Sequence, residues 1–196
     1  GLVIIGVHSP EFEFEKSEKN LAQAIKDFKL PYPIVQDNNF ETWKAYNNRY
    51  WPAKYFIDKE GYIRYSHFGE GAYDESEKVI QELLKETGAT DVSTDVSNPK
   101  YQNYSKTPEI YLGSERFSNE NVSFEGDWTL SKEFRNPQKG AKLYLNFESK
   151  EVFLVMRPKG NPSKVKVYLD DKLQSTITVD ADKLYRLINL SVPGRH

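Results

Sequence analysis

The sequence predicts two domains of different class: an α/β unit over residues 1–88 and an antiparallel β-sandwich over residues 107–196, joined by a linker at 89–106. Three observations predict it. In the first half, extended runs alternate with stretches whose apolar residues recur at helical spacing. From Ala89 to about Thr107 the chain reads "ATDVSTDVSNPKYQNYSKT", polar and without period. Beyond it, apolar and polar residues alternate strictly, the pattern of half-buried strands. With 196 residues there is room for one large domain or two small ones.

"GLVIIGV" is a near-continuous apolar run, the pattern of a parallel strand covered on both faces. After a polar stretch, "LAQAIKDFKL" sets Leu21, Ile25 and Phe28 at helical spacing, with Ser17 as the expected N-cap. "PYPIVQD" reads as a short strand between prolines. In "NNFETWKAYNNR", Phe40 and Trp43 share a helical face, with Asn38 or Asn39 as the expected cap. "AKYFID" and "YIRYSHF" are rich in β-formers and flank "DKEG", in which Gly61 supplies the permissive turn backbone, so a hairpin is expected. A last helix follows: Asp74 and Glu77 resemble a capping box, Val79, Ile80, Leu83 and Leu84 form its stripe, and Gly88 stops it.

In the second half, Leu143, Leu145 and Phe147 alternate with Lys142, Tyr144 and Asn146, and Val165, Val167 and Leu169 do the same. "DDK" is a hairpin turn leading to "LQSTITV". With "WTLSKEFR" and "EVFLVMR" these make seven or eight short strands, which predicts a sandwich. The chain opens inside a strand without Met, and "LSVPGRH" stops after a Pro-Gly turn signal, where a further strand is expected. Both ends read as cut.

Composition excludes several function classes. The net charge of −2 is spread over mixed Lys and Glu with no basic block, which argues against a nucleic-acid surface. There is no cysteine, so these residues hold no disulfide, thiol nucleophile or thiolate metal site. Three histidines are too few for a zinc cluster, and the Asp pairs of "DDK" and "DADK" lack a glycine-containing calcium loop. No cofactor or metal is expected.

Pro52 stands between Trp51 and the first hairpin strand, where a residue without an N–H is tolerated. Taken together, "LPYPIVQDNNFETWKAYNNRYWPAKYFIDKEGYIRYSHFGEG" resembles the second half of a TlpA-like thioredoxin domain, and the resemblance covers residues 1 to about 88. "HSPEFEFEK", "YWPAKYFID" and "HFGEGAY" are similar, more narrowly, to the DipZ family of extracytoplasmic thiol–disulfide proteins. "TPEIYLG", "GDWTL" and "KLYRLIN" resemble that family's C-terminal, carbohydrate-binding-module-like sandwich.

The resemblance implies a thioredoxin-like fold incomplete at its N-terminus, with the Cys-x-x-Cys on a strand and helix preceding Gly1. It implies a cis Trp51–Pro52 bond, with Trp51 as docking and specificity element for protein thiols or disulfides bound by β-augmentation. Strand directions then bring His8 to Glu11, Trp51 with Pro52, and Phe68 to Gly71 to one side of the sheet. There His8 would tune a thiolate, Glu11 and Glu70 would carry protons, and Gly69 and Gly71 would serve the turn; plain backbone-bonding and solvated roles stand beside these. The implied location is the periplasm or cell surface, with membrane contact only through an anchor elsewhere in the parent protein.

In the sandwich, Tyr101, Tyr104, Tyr111, Trp128, Tyr144 and Tyr168 raise a carbohydrate-stacking expectation against the commoner core role of such residues. A non-catalytic peptide- or carbohydrate-binding module remains the alternative. Burying each of the apolar side chains of "LVIIGV" is worth about 1.5–3 kcal/mol. The missing strand and helix are therefore expected to be supplied by an associated segment, further residues or a neighbouring copy in an oligomer.

Overall fold

A computed structural model describes residues 1–98, 104–117 and 120–196. The chain divides into two units, Gly1–Gln102 and Asn103–His196.

In the first unit the order is strand, helix, strand, helix, strand, strand, helix. β1 (Gly6–His8) and β2 (Ile34–Gln36) pair in parallel, Gly6 opposite Ile34 and His8 opposite Gln36. Between them lie a 3-10 turn (Glu13–Lys16) and α1 (Glu18–Asp27), whose N-cap Ser17 accepts the Asn20 N–H at 3.4 Å. α2 (Glu41–Ala45) is short. β3 (Ala53–Ile57) and β4 (Ile63–Phe68) form the expected antiparallel hairpin, with Ala53 opposite Phe68. At its turn the Asp58 carboxylate accepts the N–H groups of Glu60 and Tyr62, and α3 (Tyr73–Glu86) closes the unit.

Four local expectations are corrected. "GLVIIGV" is strand only at its end: pairing with β2 stops at Gly6, and Leu2, Val3, Ile4 and Ile5 are each at least half exposed. The stripe of α1 stops short of Phe28, which is the C-cap and is 72% exposed. Neither Asn38 nor Asn39 caps α2; its N-cap Phe40 is left-handed (φ 58°), and the Asp37 carboxylate takes the N–H groups of Thr42 and Trp43 instead. α3 begins at left-handed Ala72 (φ 50°) with no side-chain cap, so Asp74 and Glu77 lie inside the helix rather than in a capping box.

Among the described residues, the second unit holds eight strands in antiparallel pairs. β5 (Val122–Glu125) pairs with β8 (Lys142–Leu145), and β6 (Trp128–Leu130) with β7 (Arg135–Pro137). β9 (Glu148–Met156) pairs with β12 (Lys183–Arg195), and β10 (Ser163–Leu169) with β11 (Lys172–Val179). The core joins Phe147, Val167 and Ile188, flanked by Leu145, Val152, Leu169 and Ile177, so inward side chains from five strands meet in one layer. The fold is a thioredoxin-like part followed by an antiparallel β-sandwich.

Two strand expectations change here as well. "WTLSKEFR" is a hairpin, folded where the Ser131 N–H bonds the Phe134 carbonyl at 2.9 Å. "VPG" near the end is no turn; β12 runs through it to Arg195, with a register shift between Asn189 and Gly194. "DDK" is the expected turn, with Asp170 and Asp171 both left-handed at φ 48° and 63°. Part of the expected linker, 99–103, lies outside the described residues.

Candidate functional site

The site is built around the entry to β3. The Trp51–Pro52 bond is cis, the isomer that the family resemblance implies. The Pro52 carbonyl accepts the Gly69 N–H at 2.8 Å, which fastens the start of β3 to the end of β4. Gly69 holds φ +85°, a left-handed backbone that glycine adopts without a Cβ penalty.

Trp51 is 49% exposed yet fixed on two sides. Its indole N–H donates to the Ser9 carbonyl at 3.0 Å, and its ring lies against Trp43 with centroids 4.3 Å apart. Ser9 and Asp37 are buried, and the Ser9 hydroxyl donates to the Asp37 carboxylate at 3.1 Å. Burial works to raise the Asp37 pKa, but donation from Trp43, Thr42, Ser9 and Glu41 outweighs it and holds the carboxyl below its ordinary value.

The main chain of Trp51 is different. Neither its N–H nor its C=O has a hydrogen-bond partner among the described residues. Beside it, Tyr50 (56% exposed) and Phe68 (45%) present rings 5.4 Å apart, and Phe68 also meets Tyr55. Free main-chain groups between exposed rings suit an extended polypeptide, whose backbone pairs while its side chains lie on apolar shelves.

The residues named from sequence are partly brought together. Trp51 reaches the end of β1 through Ser9, and Pro52 with Ala53 meets Phe68 and Gly69. The His8 ring bonds the Glu15 carbonyl at 3.2 Å, and the Glu11 main chain donates to the Glu15 carboxylate, so both are engaged within their own segment. Glu70 accepts the Tyr73 hydroxyl at 2.9 Å. Sequence reasoning missed Ser9, Asp37, Trp43 and Tyr50; the Asp of "QDNNF", directly after a strand and before a helix, was the available signal.

In the second unit Tyr104, Tyr144 and Tyr168 are exposed, whereas Trp128 packs on Phe124 at 5.1 Å. Tyr111 stacks under Arg116, Tyr144 donates to Glu125, and Tyr101 lies outside the described residues. A cleft of about 180 Å³ lies among Lys106, Thr107, Asn121, Asn146, Glu148 and Arg195, over the edge of Phe147. Among the described residues no helix is long and apolar enough to cross a membrane.

The chain matches the family described as "Thioredoxin like C-terminal domain" over residues 89–196. It is 31% identical to Protein DipZ of Mycobacterium tuberculosis over an alignment covering 85% of this chain and 28% of that protein. Protein DipZ of Mycobacterium bovis matches to the same extent, so the chain spans 28% of the length of these relatives. Thiol-disulfide oxidoreductase YkuV of Bacillus subtilis is 28% identical over 44% of this chain and 58% of its own. Matched over more than half its length and similar along most of it to DipZ, the chain belongs to the thioredoxin-like C-terminal domain family, in a redox-protein group.

Proposed function

We propose that this chain is the docking part and C-terminal sandwich of an extracytoplasmic thiol–disulfide oxidoreductase, whose reacting dithiol lies outside residues 1–196. The unpartnered main chain of Trp51, flanked by exposed rings, carries the reading. An extended substrate pairs with the Trp51 N–H and C=O and lays apolar side chains on the exposed rings of Trp51, Tyr50 and Phe68. Pro52, His8, Glu11, Gly69 and Glu70 flank this dock.

Held there, a substrate disulfide is presented to an attacking thiolate. One sulfur joins the attacker in a mixed disulfide, the other leaves as a thiolate and takes a proton, and the second thiol of the pair releases the reduced substrate. The chain's own residues bind and orient; the exchange itself requires cysteines that they do not include. The extracytoplasmic location rests on the resemblance to DipZ.

An insulin-reduction assay on the full-length protein tests the reading. Trp51→Ala removes a large apolar contact worth about 1.5–3 kcal/mol, so KM is expected to rise about tenfold or more with kcat little changed. An unchanged KM removes the dock. The second reading, a peptide-binding module without thiol chemistry, is favoured by the lack of cysteine; a gene with no Cys pair upstream of Gly1 would select it.

A further inference from the structure

One carboxylate holds both groups that touch the Trp51 indole. Asp37 accepts the Ser9 hydroxyl at 3.1 Å, and the Ser9 carbonyl receives the indole N–H. Asp37 also accepts the main-chain N–H of Trp43 at 2.9 Å, and the Trp43 ring packs on the indole. The three segments are far apart in sequence: Ser9 follows β1, Asp37 follows β2, and Trp51 precedes β3. With half its surface open, Trp51 owes its orientation to these two contacts.

We propose that Ser9 and Asp37 are positioning residues that set the Trp51 ring at the dock, beyond any part they take in holding α2. This rests on the docking function proposed above only for its consequence, not for its geometry. Ser9 acts with both ends: its hydroxyl is anchored by Asp37 and its carbonyl anchors the indole. Asp37 is 6% exposed and Ser9 8%, so water does not readily replace either link. α2, five residues long with no cap from its own N-cap side chain, relies on the same carboxylate, which ties the Trp43 side of the cradle to the Ser9 side.

The test uses the full 196-residue chain and three variants, Ser9→Ala, Asp37→Asn and Trp51→Phe, the last to assign the Trp51 indole resonance in ¹H–¹⁵N spectra. Trp128, bonded through its indole to the Glu125 carbonyl in the second unit, is the internal reference. In Ser9→Ala and Asp37→Asn the Trp51 indole N–H is expected to shift, and its hydrogen exchange to quicken about fivefold, the equivalent of one lost hydrogen bond. Trp128 stays put. Ser9→Ala removes a single oxygen and leaves Asp37 bonded to both main-chain donors, so it perturbs the fold less than Asp37→Asn.

Binding of carboxymethylated insulin B chain, followed by fluorescence, is read on the same variants and weakens about fivefold in parallel. An indole resonance and exchange rate unchanged in the folded Ser9→Ala chain overturn the proposal. An indole that moves while peptide affinity stays the same leaves the positioning intact and removes the docking function instead.

Discussion

Tyr185→Phe removes one oxygen from the sandwich, and the structure says what that oxygen does. Tyr185 is 7% exposed. Its hydroxyl accepts the N–H groups of Asp180 and Ala181 at 3.1 and 3.0 Å, and its one proton serves the Ala181 carbonyl at 2.8 Å or the Asp180 carboxylate at 3.1 Å. It therefore closes the turn between β11 and β12. Three hydrogen bonds at about 1 kcal/mol each set an upper figure near 3 kcal/mol. Asp180 is exposed, so water re-satisfies its N–H, and the expected loss is about 2 kcal/mol. For a unit of this size, with a urea m-value of about 1 kcal/mol/M, the midpoint should fall by about 2 M. The assay is a urea titration followed by Trp128, with Trp43 and Trp51 replaced by Phe in both chains. A fall below about 0.5 M would refute the role given to this hydroxyl, and a changed m-value would show that the unfolding unit itself had changed.

Phe147→Ala should cost the second unit about 3 kcal/mol, the low end for a buried aromatic, because the ring borders an open cleft into which the site relaxes; the same titration reads it. Gly113→Ala should lower the thermal midpoint further than Gly160→Ala. A Cβ at Gly113 meets the Lys132 carbonyl and the Glu133 backbone, which cannot rotate away, whereas at Gly160 (φ +86°) it meets open space and only the left-handed backbone is strained. Acid should weaken the first unit through Asp37. Its folded pKa lies below the ordinary 3.8, so the stability it lends is present above that value and is lost as pH falls through the folded pKa. In Asp37→Asn the acid limb of a stability–pH curve below about pH 4 should flatten, and an unaltered limb would assign it to other carboxylates.

How much of the fold was legible varies with the range of the interactions that decide it. The β3–β4 hairpin was readable because both strands and the Asp58 turn lie within one short stretch, and each bond in the turn spans a few residues. The caps were not. Whether Asn38 or Asp37 serves α2 depends on a left-handed Phe40 and on Ser9, 28 residues from Asp37. "VPG" looked like a turn by composition, yet Gly194 pairs with Ser149 and Arg195 with Glu148, so a partner distant in sequence keeps the strand extended. "LVIIGV" looked like strand throughout, but a strand requires a neighbour along its length, and β2 supplies one only from Gly6.

At the site, Trp51 and Pro52 were named through the family resemblance and Phe68 and Gly69 through strand direction, and the structure joins Pro52 to Gly69 and Ala53 to Phe68. Ser9 and Asp37 were passed over because a lone serine carries no signal, and an aspartate between a strand and a helix signals a cap but not the distant partner it holds. The sequence by itself determined the class of each half, since hydrophobic spacing is local, and it determined that no thiol chemistry resides in these residues. Only the tertiary structure decided that one buried carboxylate links β1, α2 and the Trp51 ring, because hydrogen bonds between segments are set by where the packed chain brings them, not by spacing along it.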